Sequence, residues 1–527
     1  MRRLGSFIRL PIPVAVATQC DMLKFLVLDD GRPAKTCPLR NSHLIDTNGH
    51  AVRGDIRFKK GHIECDKRDG DSAALALQYP AGDCGELTVQ TCLLPDRDAP
   101  YLLTLELARH HLMMIYSKME DWAMFHMETD HPAMKRAEKA RRLFIEALCC
   151  QHDDPAGADK VARECLVASI DGGEELALAH AELLLERRKA NGAMPKFPIG
   201  CGVSVEHTED RLCAGLATNF DFIYLPISWR HLAPEESEYR WQMLDNWIEW
   251  VTQTRMPVVV GPIISFEPNM LPDWLYIWEH DFDTVRDLIY EHIETVVKRY
   301  SHVIHTWIVV SGLHVHNHFS FSFDLIMDLT RMTTMLVKKT QENAKTLVEI
   351  RQPFGEYYGS NPRSIPPLMY GDLLIQGAIN FDGFAIKLLM GQALPGQYTR
   401  DLMQISHLLD QFSALGKPVT LSVSAPSDTV TPVIKDLKPD EPIDPDCGYW
   451  RKPWSPQVQS HWLEAIFQIS LSKPHVDSIA WHDLVDHPEV ELPLGGLVGQ
   501  DMQPKGAFRR LVLFRKNLLD NGAGVEA

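Results

Sequence analysis

The feature that most constrains the fold is an alternation between Phe197 and Leu519, in which a short apolar, β-branched run precedes an amphipathic helical stretch eight times. Eight β-α units in about 250 to 330 residues are typical of a closed parallel barrel. The sequence therefore predicts an α/β protein in which a (β/α)8 TIM barrel occupies residues 193–527. Functional residues of such barrels lie at the carboxyl ends of the strands, so the residues that follow each strand are the first candidates for a site.

The predicted elements of the barrel follow one another closely. The eight strands are predicted at 199–205, 222–227, 258–264, 306–310, 347–351, 383–389, 419–424 and 478–483. Helices are predicted after several of them, at 239–254, 283–300, 323–343, 399–415 and 455–472. The short runs rich in β-branched residues favour strands, and the 3.6-residue period favours helices.

Two regions with other patterns precede the barrel. Residues 1–100 are rich in Gly, Pro and Asp and contain short alternating runs, which predicts a small antiparallel β-domain of the sandwich type. Residues 101–192 follow a helical period, which predicts a connector of several antiparallel helices. The turn residues at 153–155 and at 171–173 predict breaks between these helices.

Composition excludes some classes of partner. The formal net charge of −17 disfavours a nucleic-acid partner and an anionic membrane, because an acidic surface repels phosphate. The eleven cysteines are scattered without a CxxC pair, which indicates free thiols in a reducing cytoplasm. Arg9, Pro11 and Pro13 interrupt the first apolar stretch, so we interpret it as a β-strand rather than a signal peptide. No apolar run reaches the length of about 18 residues that a transmembrane helix needs. These features predict a cytoplasmic location.

Several short stretches occur in an order that resembles glycoside hydrolase family 10, the retaining endo-1,4-β-xylanase family. They are YRW at 239–241, LPDW at 271–274, WIVV at 307–310, DGF at 382–384, the segment 398–418, GLV at 496–498 and PKGAF at 504–508. The resemblance implies a (β/α)8 barrel and an oligo- or polysaccharide as partner. It also makes a carbohydrate-binding role for residues 1–100 one interpretation of the first domain.

The family's two catalytic carboxylates are not found at the positions to which the resemblance carries them. The acid/base glutamate, which follows strand four, corresponds to Gly312, and the nucleophile, near the end of strand seven, corresponds to Val423. A retaining glycosidase needs two carboxyl groups about 5 to 5.5 Å apart, and neither glycine nor valine can donate a proton or attack carbon. The resemblance therefore implies a carbohydrate-active relative that lacks the usual xylanase activity, and it leaves open whether the protein is an enzyme.

Relocated carboxylates are one alternative. Glu356 after strand five and Asp483 after strand eight are the candidates for a new catalytic pair, since both are predicted near the mouth of the barrel. In that case the protein would be an active glycosidase.

A metal site is a second alternative. His314, His316 and His318 alternate after strand four, and alternate residues share one face of an extended strand. Three imidazoles on one face could bind zinc or another transition metal, with a fourth ligand from His482 or Asp483. No other cofactor is expected.

Contacts to a ligand are predicted from the same loops. Arg351 ends an apolar strand and needs a partner, for which Glu356, Asp483 or an anionic ligand are the candidates. The full set of predicted ligand-binding residues is His314, His316, Arg351, Tyr357, Trp450, Trp454, Trp481 and His482. The sequence thus favours a sugar-binding barrel without hydrolysis, and it leaves a non-catalytic scaffold and a homo-oligomer open.

Overall fold

The computed structural model of the protein describes residues 22–67, 71–206, 210–267, 269–317, 319–361, 363–429, 446–488 and 490–520. The strand predicted in the first apolar stretch lies outside these residues. The elements before the barrel are β1 Leu23–Leu26, β2 Leu28–Asp29, β3 Arg32–Pro33, β4 His43–Ile45, β5 Ala51–Val52, β6 Gly54–Lys59, β7 His62–Lys67, β8 Ala74–Pro80, β9 Gly85–Gln90, β10 Tyr101–Leu102, α1 Leu103–Asp121, α2 Pro132–Cys150 and α3 Pro155–Ala190.

The remaining elements build the barrel and its surrounding helices. The strands are β11 Ile199–Gly202, β12 Phe222–Leu225, β13 Val258–Val260, β14 Ile264–Ser265, β15 Thr306–Ser311, β16 Lys345–Ile350, β17 Gly383–Leu389, β18 Val419–Ser424, β19 Tyr449–Trp450 and β20 Val476–Trp481. The helices are α4 Asp210–Asn219, α5 Trp229–Leu232, α6 Gln242–Thr254, α7 Phe282–Tyr300, α8 Phe323–Thr340, α9 Pro367–Gln376, α10 Leu402–Ser413, α11 Pro456–Ser472 and α12 Gly506–Asp520.

The predicted barrel is confirmed. Parallel pairing runs β13-β12-β11-β20-β18-β17-β16-β15, and pairing of β13 with β15 closes the ring. The third strand position is shared by β13 and β14, with Gly261 and Pro262 between them. Proline has no N–H for the ladder and Gly261 adopts a φ of +138°, so the single strand predicted at 258–264 is divided.

Small sheets precede the barrel. One has the order β10-β1-β7-β6, in which only β1 and β10 are parallel, and a two-stranded sheet joins β2 to β3. A third sheet has the order β19-β9-β8-β4-β5. Its edge strand β19 comes from the long connection after the seventh barrel strand, where Tyr449 pairs with Glu86 and Trp450 pairs with Gly85. A barrel loop therefore extends an N-terminal sheet.

The helical region differs from its prediction at one place. The break at 153–155 is confirmed, because Asp154 accepts a hydrogen bond from Gly157 N and Pro155 begins α3. The break predicted at 171–173 is wrong, since α3 continues through it for 36 residues. A Cβ at Gly172 would lie 3.2 Å from Arg136 Cβ, and one at Gly173 would lie 3.4 Å from Met403 Cβ. The glycines permit close packing on both sides of α3, and that packing outweighs their low helix propensity.

The apolar interior has two main parts. The larger one lies between the barrel strands and the surrounding helices and includes the fully buried indoles of Trp247, Trp307, Trp462 and Trp481. The second lies between the N-terminal sheets and α1 to α3. Within the described part of the chain, the helices are too short or too polar to cross a membrane.

Candidate functional site

The interior of the barrel changes from apolar to polar towards the carboxyl ends of its strands. Tyr224, Ile308, Leu347 and Ala385 form an apolar cluster inside the ring. Side chains alternate between the two faces of a strand, so the residues two positions later on β16 and β17 also face the interior, as does the residue of β18 that pairs with the one on β17. Those residues are Glu349, Lys387 and Ser422, and His482 follows β20 at the same end. The mouth of the barrel is therefore lined with ionisable and hydroxyl groups.

A serine links two carboxyl groups in this mouth. Ser311 ends β15 and is fully buried, and its Oγ lies 2.5 Å from Glu349 Oε1 and 3.1 Å from Glu267 Oε1. Glu349 is only 2% exposed, and burial raises the pKa of this carboxyl above its ordinary value although Lys387 and Arg351 act against the change. A hydroxyl has a single hydrogen, so a protonated Glu349 suits this arrangement.

Arg351 lies between two further carboxylates. Its guanidinium forms ion pairs with Glu267 and with Glu491, which comes from the loop after β20. The sequence offered Glu356 or Asp483 as its partner, and the structure places Glu267 and Glu491 there instead. Burial and these carboxylates act in opposite directions on the pKa of Arg351, and the net effect raises it, so the group keeps its charge.

Glu491 receives donors from the neighbouring strands as well. Lys387 Nζ lies 2.6 Å from its Oε2, and Gln397 Nε2 donates to its Oε1 at 3.1 Å. Burial alone would raise the pKa of Glu491, but Arg351 and Lys387 outweigh it and hold the pKa well below its ordinary range. Glu491 is therefore an ionised carboxylate that is paired with two cations, Arg351 and Lys387.

The candidate Glu356 lies apart from this mouth. It forms a buried ion pair with Arg400 and accepts hydrogen bonds from Gly396 N at 2.6 Å and from Asn41 Nδ2 at 3.0 Å. Burial is outweighed by Arg400 and His43, which together lower the pKa of Glu356. The described contacts of this carboxylate are therefore all with other groups of the protein. One of them, Asn41, belongs to the N-terminal region.

The candidate Asp483 follows β20 directly. Its side chain is half-buried with Oδ2 inaccessible to solvent, and burial raises the pKa of the carboxyl to about 7, while Lys387 acts to lower that pKa and Glu491 to raise it. Among the described residues its Oδ2 has no hydrogen-bond partner. Asp483 therefore adds to the mouth a carboxyl group that is protonated below about pH 7, which Glu356 does not.

The two positions that the resemblance assigns to catalytic glutamates have different surroundings. Gly312 follows β15 with a φ of +70°, and a Cβ there would lie 3.3 Å from His316 Cδ2 and 3.5 Å from Glu267 Cγ. Val423 is fully buried in the core between strands and helices, whereas Ser422 faces the interior and its Oγ lies 2.7 Å from His482 Nδ1. Neither position presents an acid to the mouth.

The predicted histidine strand is wrong in its local structure. β15 ends at Ser311, and the N–H groups of Val315 and His316 both donate to Gly312 O, at 3.0 and 2.8 Å, so the chain turns here. His314 is buried against the ring of Tyr370 and burial lowers its pKa to about 3. His318 lies outside the described residues. Within the described ranges, no group of three or more His, Cys, Asp or Glu is arranged to hold a metal ion.

The predicted aromatic residues use their polar atoms inside the protein. Trp481 Nε1 donates a hydrogen bond to Gly495 O at 2.7 Å, and Trp454 Nε1 donates to Gly448 O at 3.1 Å. Trp450 Nε1 donates to Glu174 Oε1 at 2.8 Å. The hydroxyl of Tyr357 donates to Ile365 O at 2.6 Å. Trp454, Trp481 and Tyr357 are buried, and Trp450 lies in the junction with the N-terminal sheet. These side chains therefore contribute to packing and hydrogen bonding within the protein, and the three buried rings have no exposed face on which a sugar could stack.

Sequence reasoning missed the residues that form the centre of the cluster. Glu349 could have been found, because it lies two residues before Arg351 on the strand predicted at 347–351 and therefore shares its face. Lys387 lies two residues beyond Ala385, the residue of β17 that pairs with Glu349, and therefore shares the same face. Glu491 carries no such signal, since it reaches the mouth from an irregular loop after β20.

A family model corresponds to the first half of this barrel. Residues 194–322 match the model described as Glycosyl hydrolase family 10. The barrel resembles glycosyl hydrolase family 10. The resemblance that the sequence motifs indicated is confirmed for a segment that runs through β11 to β15 and includes Gly312, whereas Val423 lies beyond it. The protein therefore has a (β/α)8 barrel whose first half is similar to that of family 10.

Solved structures similar to the family 10-like barrel are xylanases. Xylanase 10B from Thermotoga petrophila RKU-1, in complex with xylobiose, is 15% identical, with 63% of this chain and 97% of that chain covered and a TM-score of 0.45. An endo-1,4-beta-xylanase from Caldicellulosiruptor owensensis is 17% identical, with 62% and 98% covered and a TM-score of 0.45. The fold itself is defined by the closed ring of eight parallel strand positions. A search of curated proteins found no match.

Proposed function

We propose that the protein is a family 10-related carbohydrate-binding protein that does not hydrolyse xylan by the retaining mechanism. The observation that carries this proposal is the engagement of the mouth carboxylates by Arg351, which pairs with both Glu267 and Glu491. Retaining hydrolysis needs two carboxyl groups about 5 to 5.5 Å apart with the glycosidic bond between them. Here the space beside these carboxylates is occupied by a guanidinium and by the Ser311 hydroxyl.

Buried amide groups support binding of an oligo- or polysaccharide at the mouth. Gln352, Gln392 and Gln397 lie in the loops after β16 and β17, and the Oε1 atom of each is buried without a hydrogen-bond partner among the described residues. Gln352 packs on Gly396, next to Gln397, and Gln392 N donates to Gln397 O at 3.3 Å, so the three residues are neighbours. A buried acceptor is costly unless a donor satisfies it, and sugar hydroxyls are suitable donors.

The proposal is tested by measuring hydrolysis and binding on one sample. Purified protein incubated with xylan and with aryl xylosides is expected to release no reducing sugar or aglycone above background. The same preparation, applied to an array of plant and microbial oligosaccharides, is expected to bind a subset of them. Turnover above background contradicts the non-hydrolytic part of the proposal, and an absence of binding across the array contradicts the carbohydrate part.

A glycosidase with relocated carboxylates is the second candidate function. Glu349 and Glu267 contact the same hydroxyl, but burial raises the pKa of Glu349 while Glu267 is paired with Arg351. Two neighbouring carboxyl groups with opposite surroundings are the arrangement that acid and base roles require. This pair, rather than Glu356 with Asp483, is the one that the geometry favours.

Substitution separates the two candidates if turnover is detected. Glu349→Gln and Glu267→Gln should each abolish activity that uses the relocated pair, because one loses the proton donor and the other the anionic partner. Glu356→Gln is the matched control, since that carboxylate is engaged outside the mouth by Arg400. Activity that survives Glu349→Gln excludes the second candidate.

A further inference from the structure

The carboxylate of Glu491 is held by donors from the body of the barrel. Arg351 follows β16, Lys387 lies on β17 and Gln397 follows β17, and together they contact both oxygens of the carboxylate. Arginine, lysine and amide donors in this arrangement form a built carboxylate site. The site is therefore defined by neighbouring strands, while its present occupant comes from a different part of the chain.

The occupant is more accessible than its receptor. The side chain of Glu491 is 21% exposed, compared with 7% for Arg351 and 11% for Lys387. The base of the Glu491 loop is fixed, because Trp481 Nε1 and Ser424 Oγ both donate to Gly495 O. Movement of the glutamate side chain towards solvent therefore requires no displacement of the loop base, whereas the two cations are largely enclosed.

The cations need an anion at this place. Glu267 pairs with Arg351, whereas Lys387 forms its described ion pair with Glu491. Burial and Arg351 act to lower the pKa of Lys387, but Glu491, Glu267 and Glu349 outweigh them and raise it, so the lysine is charged. A buried ammonium without an anion is strongly unfavourable. Any ligand that displaces Glu491 must therefore bring its own negative charge.

We propose that Arg351, Lys387 and Gln397 form a binding site for the carboxylate of a uronic acid residue in an acidic saccharide, and that Glu491 occupies this site as an intramolecular competitor. The inference rests on the proposed carbohydrate-binding function and names its ligand class. The adjacent acceptors on Gln352 and Gln392 distinguish a uronate from a simple organic acid, because a uronate carries hydroxyl donors beside its carboxylate.

The first test removes the competitor. Binding of trigalacturonate, xylotriose and sodium acetate is measured by calorimetry for the wild type and for Glu491→Ala. Trigalacturonate is expected to bind the variant about tenfold more tightly or better, since occupancy by Glu491 lowers the apparent affinity of the wild type. Xylotriose should bind both proteins equally, because its binding gains nothing from the freed cations.

Acetate separates the carboxylate site from the saccharide preference. Acetate should raise the melting temperature of Glu491→Ala but not that of the wild type, since it replaces the missing carboxylate. Stabilisation by acetate without trigalacturonate binding overturns the uronate inference and leaves a site for small acids. Xylotriose binding without any effect of acetate or trigalacturonate overturns the carboxylate site and leaves the proposed carbohydrate function intact.

A second variant protects the test against misfolding. Glu491→Gln keeps the size of the side chain and removes only its charge, so it is used if Glu491→Ala does not fold. Adding Lys387→Met to either variant should abolish the gain in trigalacturonate affinity, because the site then loses one of its two cations. Equal trigalacturonate affinity in the wild type and in a folded Glu491 variant contradicts the proposal.

Discussion

Glu356 and Arg400 form an ion pair in which both side chains are almost completely buried, at 3% and 6% exposure. The pair joins the loop after β16 to the segment that precedes α10, and Asn41 of the N-terminal region donates to the same carboxylate. One carboxylate therefore connects the barrel to the N-terminal part. This contact network gives Glu356 a structural role in place of the catalytic role that its position after a strand suggested.

Loss of the Glu356 charge should destabilise the protein without any direct effect on the barrel mouth. Glu356→Gln leaves the Arg400 guanidinium buried without its anion, which typically costs about 3–5 kcal/mol. The free energy of unfolding, measured with urea, checks this value. Glu294→Gln is the control, because its ion pair with Lys298 is exposed and should contribute at most about 0.5 kcal/mol. Equal effects of the two substitutions would contradict the structural role.

The junction between β9 and β19 makes a separate prediction. Gly85 has a φ of +108°, and a Cβ there would overlap the carbonyl oxygen of Tyr449. Gly85→Ala should therefore separate the two strands and destabilise the protein by about 1–3 kcal/mol. Hydrogen exchange of residues 446–451 should increase in this variant.

Another glycine provides the control for that experiment. Gly215 lies in α4, and a Cβ there meets no atom within 4 Å. Gly215→Ala should be neutral or stabilise the protein by up to about 1 kcal/mol, because alanine favours the helix. Unchanged exchange at 446–451 in Gly85→Ala would show that the junction does not depend on this close approach.

The fold could be predicted from the sequence because it depends on local patterns. The eight alternations of strand and helix determine the ring, and the predicted helices such as α7 and α11 agree with the structure within a few residues. The continuity of α3 could not be predicted, since it depends on neighbours that Gly172 and Gly173 meet only in the folded protein. Local propensity at these two residues indicates a turn, and tertiary packing reverses it.

The site was less predictable because its central contacts join distant parts of the chain. The mouth position of Arg351 followed from its place at the end of a strand, but its partners Glu267 and Glu491 come from other loops. The histidines after β15 looked like alternate residues of a strand, whereas the chain turns at Gly312. A one-dimensional pattern cannot reveal where a strand ends when a glycine with positive φ permits a turn.

The contribution of Asp483 to stability should fall as pH rises. Its pKa is raised from 3.8 to about 7, so between these values the unfolded chain releases a proton that the folded protein retains. The contribution of Asp483 to the free energy of unfolding should therefore be greatest near pH 4 and decrease up to about pH 7, by a total of up to about 4 kcal/mol, with no further change from this group above that range. Lys387, Glu491, Asp486 and Cys201 interact with Asp483 electrostatically, and Lys387 opposes the shift.

The contribution of Asp483 is isolated by comparison with Asp483→Asn. Urea unfolding of both proteins at pH values from 4.5 to 8 should show a wild-type stability that decreases relative to the variant across this range. Other titrating groups are common to the two proteins, so the difference between the curves reports mainly on Asp483. Parallel curves would mean that Asp483 ionises in the folded protein as it does in the unfolded chain.

Reintroducing a glutamate after the fourth strand should not create a xylanase. In Gly312→Glu the new side chain meets His316 and Glu267, and its backbone φ of +70° costs about 1–2 kcal/mol for a residue with a Cβ. Gly416→Ala has a similar φ of +66° with no atom within 4 Å of its Cβ, so it measures the backbone strain alone. Gly312→Glu should be the less stable variant, because crowding and repulsion from Glu267 add to the strain. Xylan hydrolysis by Gly312→Glu, alone or with Val423→Glu, would contradict this account, since the Val423 side chain lies in the core outside the mouth.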